Sequence, residues 1–167
     1  MKKLSHYDKS GRARMVDVSE KPRTKRTATA EAFVRIKPAV LKKLPQNPKG
    51  NPLEVARFAG ISAAKKTSEL IPMCHPLMLS HVGVDAKIEA KGVRITAQVA
   101  TTGPTGVEME ALTAVSVAAL TVYDMTKALD KSIEIQDVWL IEKTGGKSGN
   151  FERKQKKSDP SRDSYHQ

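Results

Sequence analysis

The sequence is short of cysteine, of aromatic rings, of acidic charge and of long apolar runs, and each shortage removes a class of protein. Among 167 residues there is one cysteine, Cys74, so no intrachain disulfide can form. A reducing, cytoplasmic setting fits. Phe, Trp and Tyr make up 4% of the chain, which is thin material for the aromatic platforms on which RNA-binding sheets stack bases. No stretch approaches the ~20 apolar residues of a membrane-spanning helix. The basic start, MKKLSHYDKSGRARMVDVSE, lacks the apolar run of a secretory signal. The expectation is therefore a cytoplasmic protein with no membrane partner. Acids are outnumbered, 18 Asp and Glu against 29 Lys and Arg, for a formal charge of +11. Residues 1–31 carry nine basic and four acidic side chains and residues 150–167 five and three, so the ends are more densely basic than the body. Such a surplus suits a polyanion, either nucleic acid or a phosphorylated small molecule, and equally serves solubility.

What is present points to one α+β domain over residues 1–149, long enough to bury a core without staples. A basic tail, 150–167, follows; its composition predicts disorder, and the first ten residues are expected to be loose as well. Residues 26–36, RTATAEAFVRI, read as a strand and 38–44 as a short helix. The loop NPKGNP, 47–52, leads to Pro52 at the first turn of a helix over 53–70, with Val55, Phe58, Ala59 and Ile61 as its apolar stripe. Residues 80–90 alternate through Val82, Val84, Ala86 and Ile88, and 93–100 through Val93, Ile95, Ala97 and Val99. With Lys91-Gly92 as the turn they form an antiparallel hairpin. A long helix over 107–130 is apolar nearly all round until Tyr123, so it must be covered on more than one side. Thr105 and Glu108 fit a capping box at its start. Residues 132–143 form a last strand with a bulge at Gln136-Asp137. The order is βαββαβ, the ferredoxin-like arrangement: an antiparallel sheet with helices on one face, the other face meeting solvent or another chain.

Four stretches could carry chemistry. TGGKSGN, 144–150, contains Gly146-Lys147-Ser148, the ending of a nucleotide-binding P-loop. That motif needs a glycine five positions before Gly146, where Ile141 stands, and a helix starting at the lysine. Neither condition is met. Three glycines beside Lys147 could still form an anion nest, or simply a flexible exit from the strand. IPMCHPL, 71–77, sets Cys74 and His75 between two prolines; no second cysteine or suitably spaced histidine accompanies them, so no metal site is read. A buried thiol and a hydrogen-bonded imidazole are the plain alternative. On the long helix, Glu110 has no capping role. Asp124 and Lys127 share a face and can pair; partial burial there would move their pKa values and allow proton transfer. Glu110 and Asp124 lie 14 residues apart, ~21 Å along a helix axis at ~1.5 Å per residue. They cannot both touch one compact reacting centre within one chain; if both serve one site, either the ligand is long or two subunits contribute.

Taken together, MVDVS at 15–19, AAKKT at 63–67, IPMCHPLMLS at 71–80, TGVEMEALTAVSVAALTVYDMTKA at 105–128 and GGKSG at 145–149 resemble the cyclic pyranopterin monophosphate synthase family, MoaC, of molybdenum cofactor biosynthesis. The resemblance covers residues 5–151. It implies a lyase with a ferredoxin-like fold, assembled as a homohexamer, a trimer of dimers with active sites at dimer interfaces. The implied reaction turns 3′,8-cyclo-7,8-dihydro-GTP into cyclic pyranopterin monophosphate with release of pyrophosphate. By position, Asp124, Lys127 and Lys49 match catalytic residues. Met73, Cys74, His75, Glu108, Met109, Glu110, Arg26 and Lys147 match substrate-binding ones. Two positions depart from the family's pattern: Asn51 stands where an acid is usual, and Thr126 where cysteine is frequent. Guanine's N1–H and amine form a donor pair that an ionised Glu110 would accept, and Lys147, Arg26 and Lys49 would meet the triphosphate. The rearrangement needs proton shuttling, so no cofactor is required, though Mg²⁺ can accompany the triphosphate.

The rival is a basic RNA-binding module with the same βαββαβ order. Its third strand would carry stacking aromatics. Here Val93 and Ile95 occupy those places, so no nucleic-acid partner is expected.

Overall fold

A computed structural model describes residues 6–8 and 10–154. The elements run β1 (Thr24–Arg35), α1 (Pro38–Leu41), a 3₁₀ turn (Leu44–Gln46), α2 (Pro52–Lys65), α3 (Thr67–Leu70), β2 (Leu79–Glu89), β3 (Gly92–Gly103), α4 (Glu108–Thr126), β4 (Glu134–Thr144) and β5 (Phe151–Glu152). The sheet order is β2-β3-β1-β4-β5, and every neighbouring pair is antiparallel. This is the expected ferredoxin-like α+β fold with one added edge strand.

Alternation builds the core. Ala28, Ala30, Ala32 and Val34 of β1 stand opposite Val99, Ala97, Ile95 and Val93 of β3, and all eight are buried. Onto this face packs α4 through Ala111, Ala114, Val115, Ala118, Ala119 and Val122. Helix α2 covers the other side of α4, as an all-round apolar helix requires. The opposite sheet face is polar and laced with charge: Arg94 pairs with Glu31 and Glu89 and lies over the Phe33 ring.

The two bulky residues expected to anchor α2 are not in its buried face. Phe58 is 73% exposed and Val55 is also exposed, while Ala59 and Ile61 are half-buried. The buried face is instead Pro52, Ala56, Gly60, Ala63 and Ala64. The cause is the closeness of α2 and α4: a Cβ on Gly60 would stand 3.0 Å from the Ala114 carbonyl oxygen and 3.3 Å from Ala118 Cβ. Only small side chains fit such a crossing, so the large ones turn outward. The helix read over 53–70 also breaks, at Lys66, into α2 and α3.

The hairpin forms as read, with Glu89 opposite Gly92. Gly92 is needed there, because a Cβ would meet the Val34 carbonyl oxygen at 2.1 Å. The bulge forms too. Between Gln136 and Trp139 the register of β4 against β1 shifts, and Asp137 takes a φ of 57°. Helix α4 stops at Thr126, short of residue 130. Its N-cap is Val107 with no side-chain cap, so Thr105 and Glu108 do not form a capping box. The Glu108 carboxylate folds over Gly106 instead, where a Cβ would collide with it. The tail begins in order: Phe151 and Glu152 pair with β4, and Arg153 bonds the carbonyls of Ile141 and Leu140 and lies over Trp139. The rest of that tail, from 155, and residues 1–5 lie outside the described residues. Among the described residues no helix is long and apolar enough to cross a membrane.

Candidate active site

The two ends of α4 each gather a separate set of functional side chains. At its start lies a cleft of about 410 Å³. One wall is the segment after α3, with Met73, Cys74 and His75; another is the first turn of α4, with Glu108, Met109 and Glu110. The N-terminal segment closes a third side through His6, Val16, Val18 and Lys21. His75 holds that segment in place, its Nε2 lying 2.8 Å from the Val16 carbonyl oxygen. With Nε2–H donating to that oxygen, Nδ1 remains an acceptor.

Glu110 is the least exposed charged group of the cleft, at 4%. Its carboxyl is pushed up to about 7, first by burial, then against the pull of its own backbone N–H, and further by the neighbouring Glu108 charge. No Lys, Arg or His of the described residues forms an ion pair with it, whereas Glu108 has Lys143 at 3.9 Å. The Cys74 thiol is likewise pushed up, by burial and by Glu110. That makes it a poor nucleophile at neutral pH, though Cys74 is half-buried and not the fully buried thiol of the plain reading.

Arg26 and Lys147 sit beside this cleft and not in its lining. Arg26 is buried in β1 and donates from Nε to the Gly103 carbonyl at 2.9 Å, two residues before Thr105 in the cleft wall. Gly146 lies directly over it: a Cβ there would come within 2.0 Å of Arg26 Nη1. Gly145, Gly146 and Gly149 all have left-handed φ, between 69° and 82°, and no helix follows. The loop thus sets Gly146 over a buried guanidinium and leaves the next residue, Lys147, exposed, an arrangement suited to anions and unlike a P-loop.

At the far end of α4, Asp124 and Lys127 pair at 2.6 Å. Lys49 reaches the Asp124 carbonyl oxygen at 3.4 Å, and Asn47 donates to the Met125 carbonyl at 2.8 Å. The loop holding Lys49 is thereby fastened to the helix C-terminus, where cations are favoured. The partial burial expected of Asp124 is absent. Its side chain is 58% exposed and that of Lys127 49%. The Asp124 pKa is lowered, first by the hydrogen bond from Lys127, then by the charges of Lys127 and Lys49; that of Lys127 is raised by Asp124. Solvent and pairing stabilise both charged forms, so within one chain this is a surface ion pair.

Both departures from the family pattern have local explanations. Asn51 caps α2, accepting from Leu53 N at 3.0 Å and Glu54 N at 3.4 Å, a task Asp and Asn share. Thr126 is fully buried and donates to the Val122 carbonyl at 2.6 Å.

The single chain therefore brings Met73, Cys74, His75, Glu108, Met109 and Glu110 together, and separately Asp124, Lys127 and Lys49. It does not unite the two groups, because α4 runs unbroken between them. Sequence reasoning missed Lys21 and His6 as cleft residues. His6 falls in the stretch read as loose, yet Arg14 N donates to its carbonyl at 2.9 Å and Tyr7 bridges Ala13. Among the described residues no group of three or more His, Cys, Asp or Glu is placed to hold a metal ion.

A cyclic pyranopterin monophosphate synthase of Parvibaculum lavamentivorans is 56% identical over 157 residues, covering 92% of this chain and 98% of the relative. The enzyme of that name from a Roseiflexus species is 55% identical over 155 residues, covering 90% and 98%. The family model described as the MoaC family matches residues 15–146, a span that holds both ends of α4 and ten of the eleven residues matched by position, Lys147 standing just past its end, and the chain belongs to that family.

Proposed function

We propose that this protein is a cyclic pyranopterin monophosphate synthase of molybdenum cofactor biosynthesis, a cytoplasmic lyase that rearranges 3′,8-cyclo-7,8-dihydro-GTP and releases pyrophosphate. The observation that carries this reading is the likeness, 55–56% identical over nine-tenths of the chain, to two synthases of that name. The geometry supplies the parts. The cleft at the start of α4 takes the guanine-derived rings between Met73, Cys74, His75 and Glu108, Met109, Glu110. Arg26 and Lys147, with Lys49, meet the triphosphate, whose charge favours forked guanidinium and ammonium donors. Asp124 and Lys127 move protons at the reacting carbon. No redox cofactor enters, since protons move and electrons are not lost; Mg²⁺ travels with the triphosphate.

The active site is completed between two chains of a homohexamer. The ~21 Å that separates Glu110 from Asp124 along α4 supports this, as do the exposed apolar side chains Phe58, Met78 and Leu120, which a partner would cover. The test is direct. The purified protein is given 3′,8-cyclo-7,8-dihydro-GTP, and pyrophosphate and the pterin product are measured together. Stoichiometric appearance of both is expected; a chain that consumes no substrate overturns the reading. Sedimentation expects a particle of about six chains, and a stable monomer overturns the shared site.

A further inference from the structure

Glu110 is a carboxyl with a cleft before it and, among the described residues, no ion-pair partner. It sits in the first turn of α4 on the cleft lining and is 4% exposed. The charged and titratable groups around it belong to four elements. Glu108 is on its own helix. Cys74 and His75 lie on the segment before β2, and His6 and Lys21 on the N-terminal segment. Lys143 of β4 is already engaged with Glu108 at 3.9 Å. None of the cations among them pairs with Glu110, and the nearest carboxylate repels its charge. A buried carboxylate without a partner is costly, and such a group keeps its proton instead.

The proposed substrate needs a proton where its ring opens. Its saturated C8 carries two ring nitrogens, so each C8–N bond is an aminal bond. Such a bond opens when the departing nitrogen is protonated and the other nitrogen's lone pair forms the C=N bond. Within the function proposed above, we infer that Glu110 is a catalytic acid that enters the cycle protonated and delivers its proton to the ring nitrogen that leaves C8. The carboxyl O–H bond breaks as the N–H bond forms, and the C8–N electron pair goes to the departing nitrogen. The carboxylate left behind regains its proton from water before the next cycle. This assigns Glu110 a role different from that of an ionised acceptor for guanine's donor pair. It also divides the labour along α4, with the acid at one end and the ionised Asp124–Lys127 pair at the other.

Two measurements test the inference. In the first, kcat and KM are followed from about pH 5.5 to about pH 9 for wild type, Glu110→Gln and Glu110→Asp. Wild-type kcat is expected to fall about tenfold per pH unit above about 7. Glu110→Gln keeps shape and a hydrogen-bond donor but has no transferable proton; it is expected to lose about 100-fold or more in kcat, with that alkaline limb removed and KM changed less than about threefold. Glu110→Asp restores part of kcat and the limb. A Glu110→Gln enzyme with wild-type kcat and altered KM overturns the inference, since the residue then only binds. In the second, infrared spectra of the ligand-free protein at neutral pH are compared with those of Glu110→Gln. A protonated-carboxyl band that the variant lacks is expected, and its absence in wild type overturns the stored proton. Because this readout needs no turnover, it separates failure of the inference from failure of the function. A wild type inert toward the substrate refutes the function whatever the infrared spectrum shows, and refutes the acid step with it.

Discussion

The start and the end of α4 carry the same chemical group in opposite circumstances. Glu110 is wrapped by protein with no ion-pair partner among the described residues, and its carboxyl rises to about 7. Asp124 stands in solvent beside Lys127 and Lys49, and its pKa falls. Desolvation penalises the ionised form of one; pairing favours the ionised form of the other. One helix thereby holds a carboxyl able to give a proton near neutral pH and a carboxylate able to accept one. Such a spread in pKa is how one site performs acid and base chemistry together. Under the proposed shared site a partner chain would matter more at the exposed end, whose groups face outward, than at the buried end, whose groups one chain already gathers.

The largest effect expected is at the exposed end. Asp124→Asn and Lys127→Ala should each lower kcat by about 100-fold or more while leaving the melting temperature unchanged, as both side chains are largely in solvent. Full activity in either variant breaks the comparison. A mixing experiment sharpens it. Chains carrying Glu110→Gln and chains carrying Asp124→Asn, each inactive alone, should recover about a quarter of wild-type activity after dissociation and reassembly. Half of randomly formed dimers are mixed, and each mixed dimer has one intact site of two. No recovery would mean that the two ends do not serve one site. A smaller effect is on stability. The Glu110 pKa is raised above its unfolded value, so its burial costs nothing below about pH 4.5, and a penalty grows as pH rises from there to about 7 and then stays constant. Glu110→Gln should remove it, gaining about 3 kcal/mol at pH 8 and almost nothing at pH 4, by denaturant unfolding. An equal gain at both pH values would show that charge is not the cause. The smallest effect is on Cys74, whose thiol Glu110 helps to push up. Alkylation by iodoacetamide at neutral pH should be about two- to threefold faster in Glu110→Gln than in wild type.

Much of this was readable from residues. The alternation of 93–100 and the apolar girth of α4 are local periodicities that packing had no reason to overrule. The bulge at Gln136-Asp137 was visible as a lost alternation. The separation of Glu110 from Asp124 followed from helical rise alone, and the site motifs carried the family. The misreadings have separate causes. Phe58 and Val55 looked like the core face of α2 because hydrophobicity was weighed without size, and a close crossing at Gly60 selects small side chains. Thr105 and Glu108 fit a capping pattern, but the helix begins at Glu108 and puts Val107 in the cap position. His6 and Lys21 carried no periodic signal, being placed by a turn and one hydrogen bond to His75.

By itself the sequence determined the order of the main elements and, through the helical rise of α4, the distance between Glu110 and Asp124, because period and rise belong to the local backbone. Only the tertiary structure decided that Glu110 is sheltered and Asp124 exposed, which face of α2 is hidden, and that the N-terminal segment walls the cleft. Burial and pKa depend on what other parts of the chain bring alongside a residue, and no local pattern contains that.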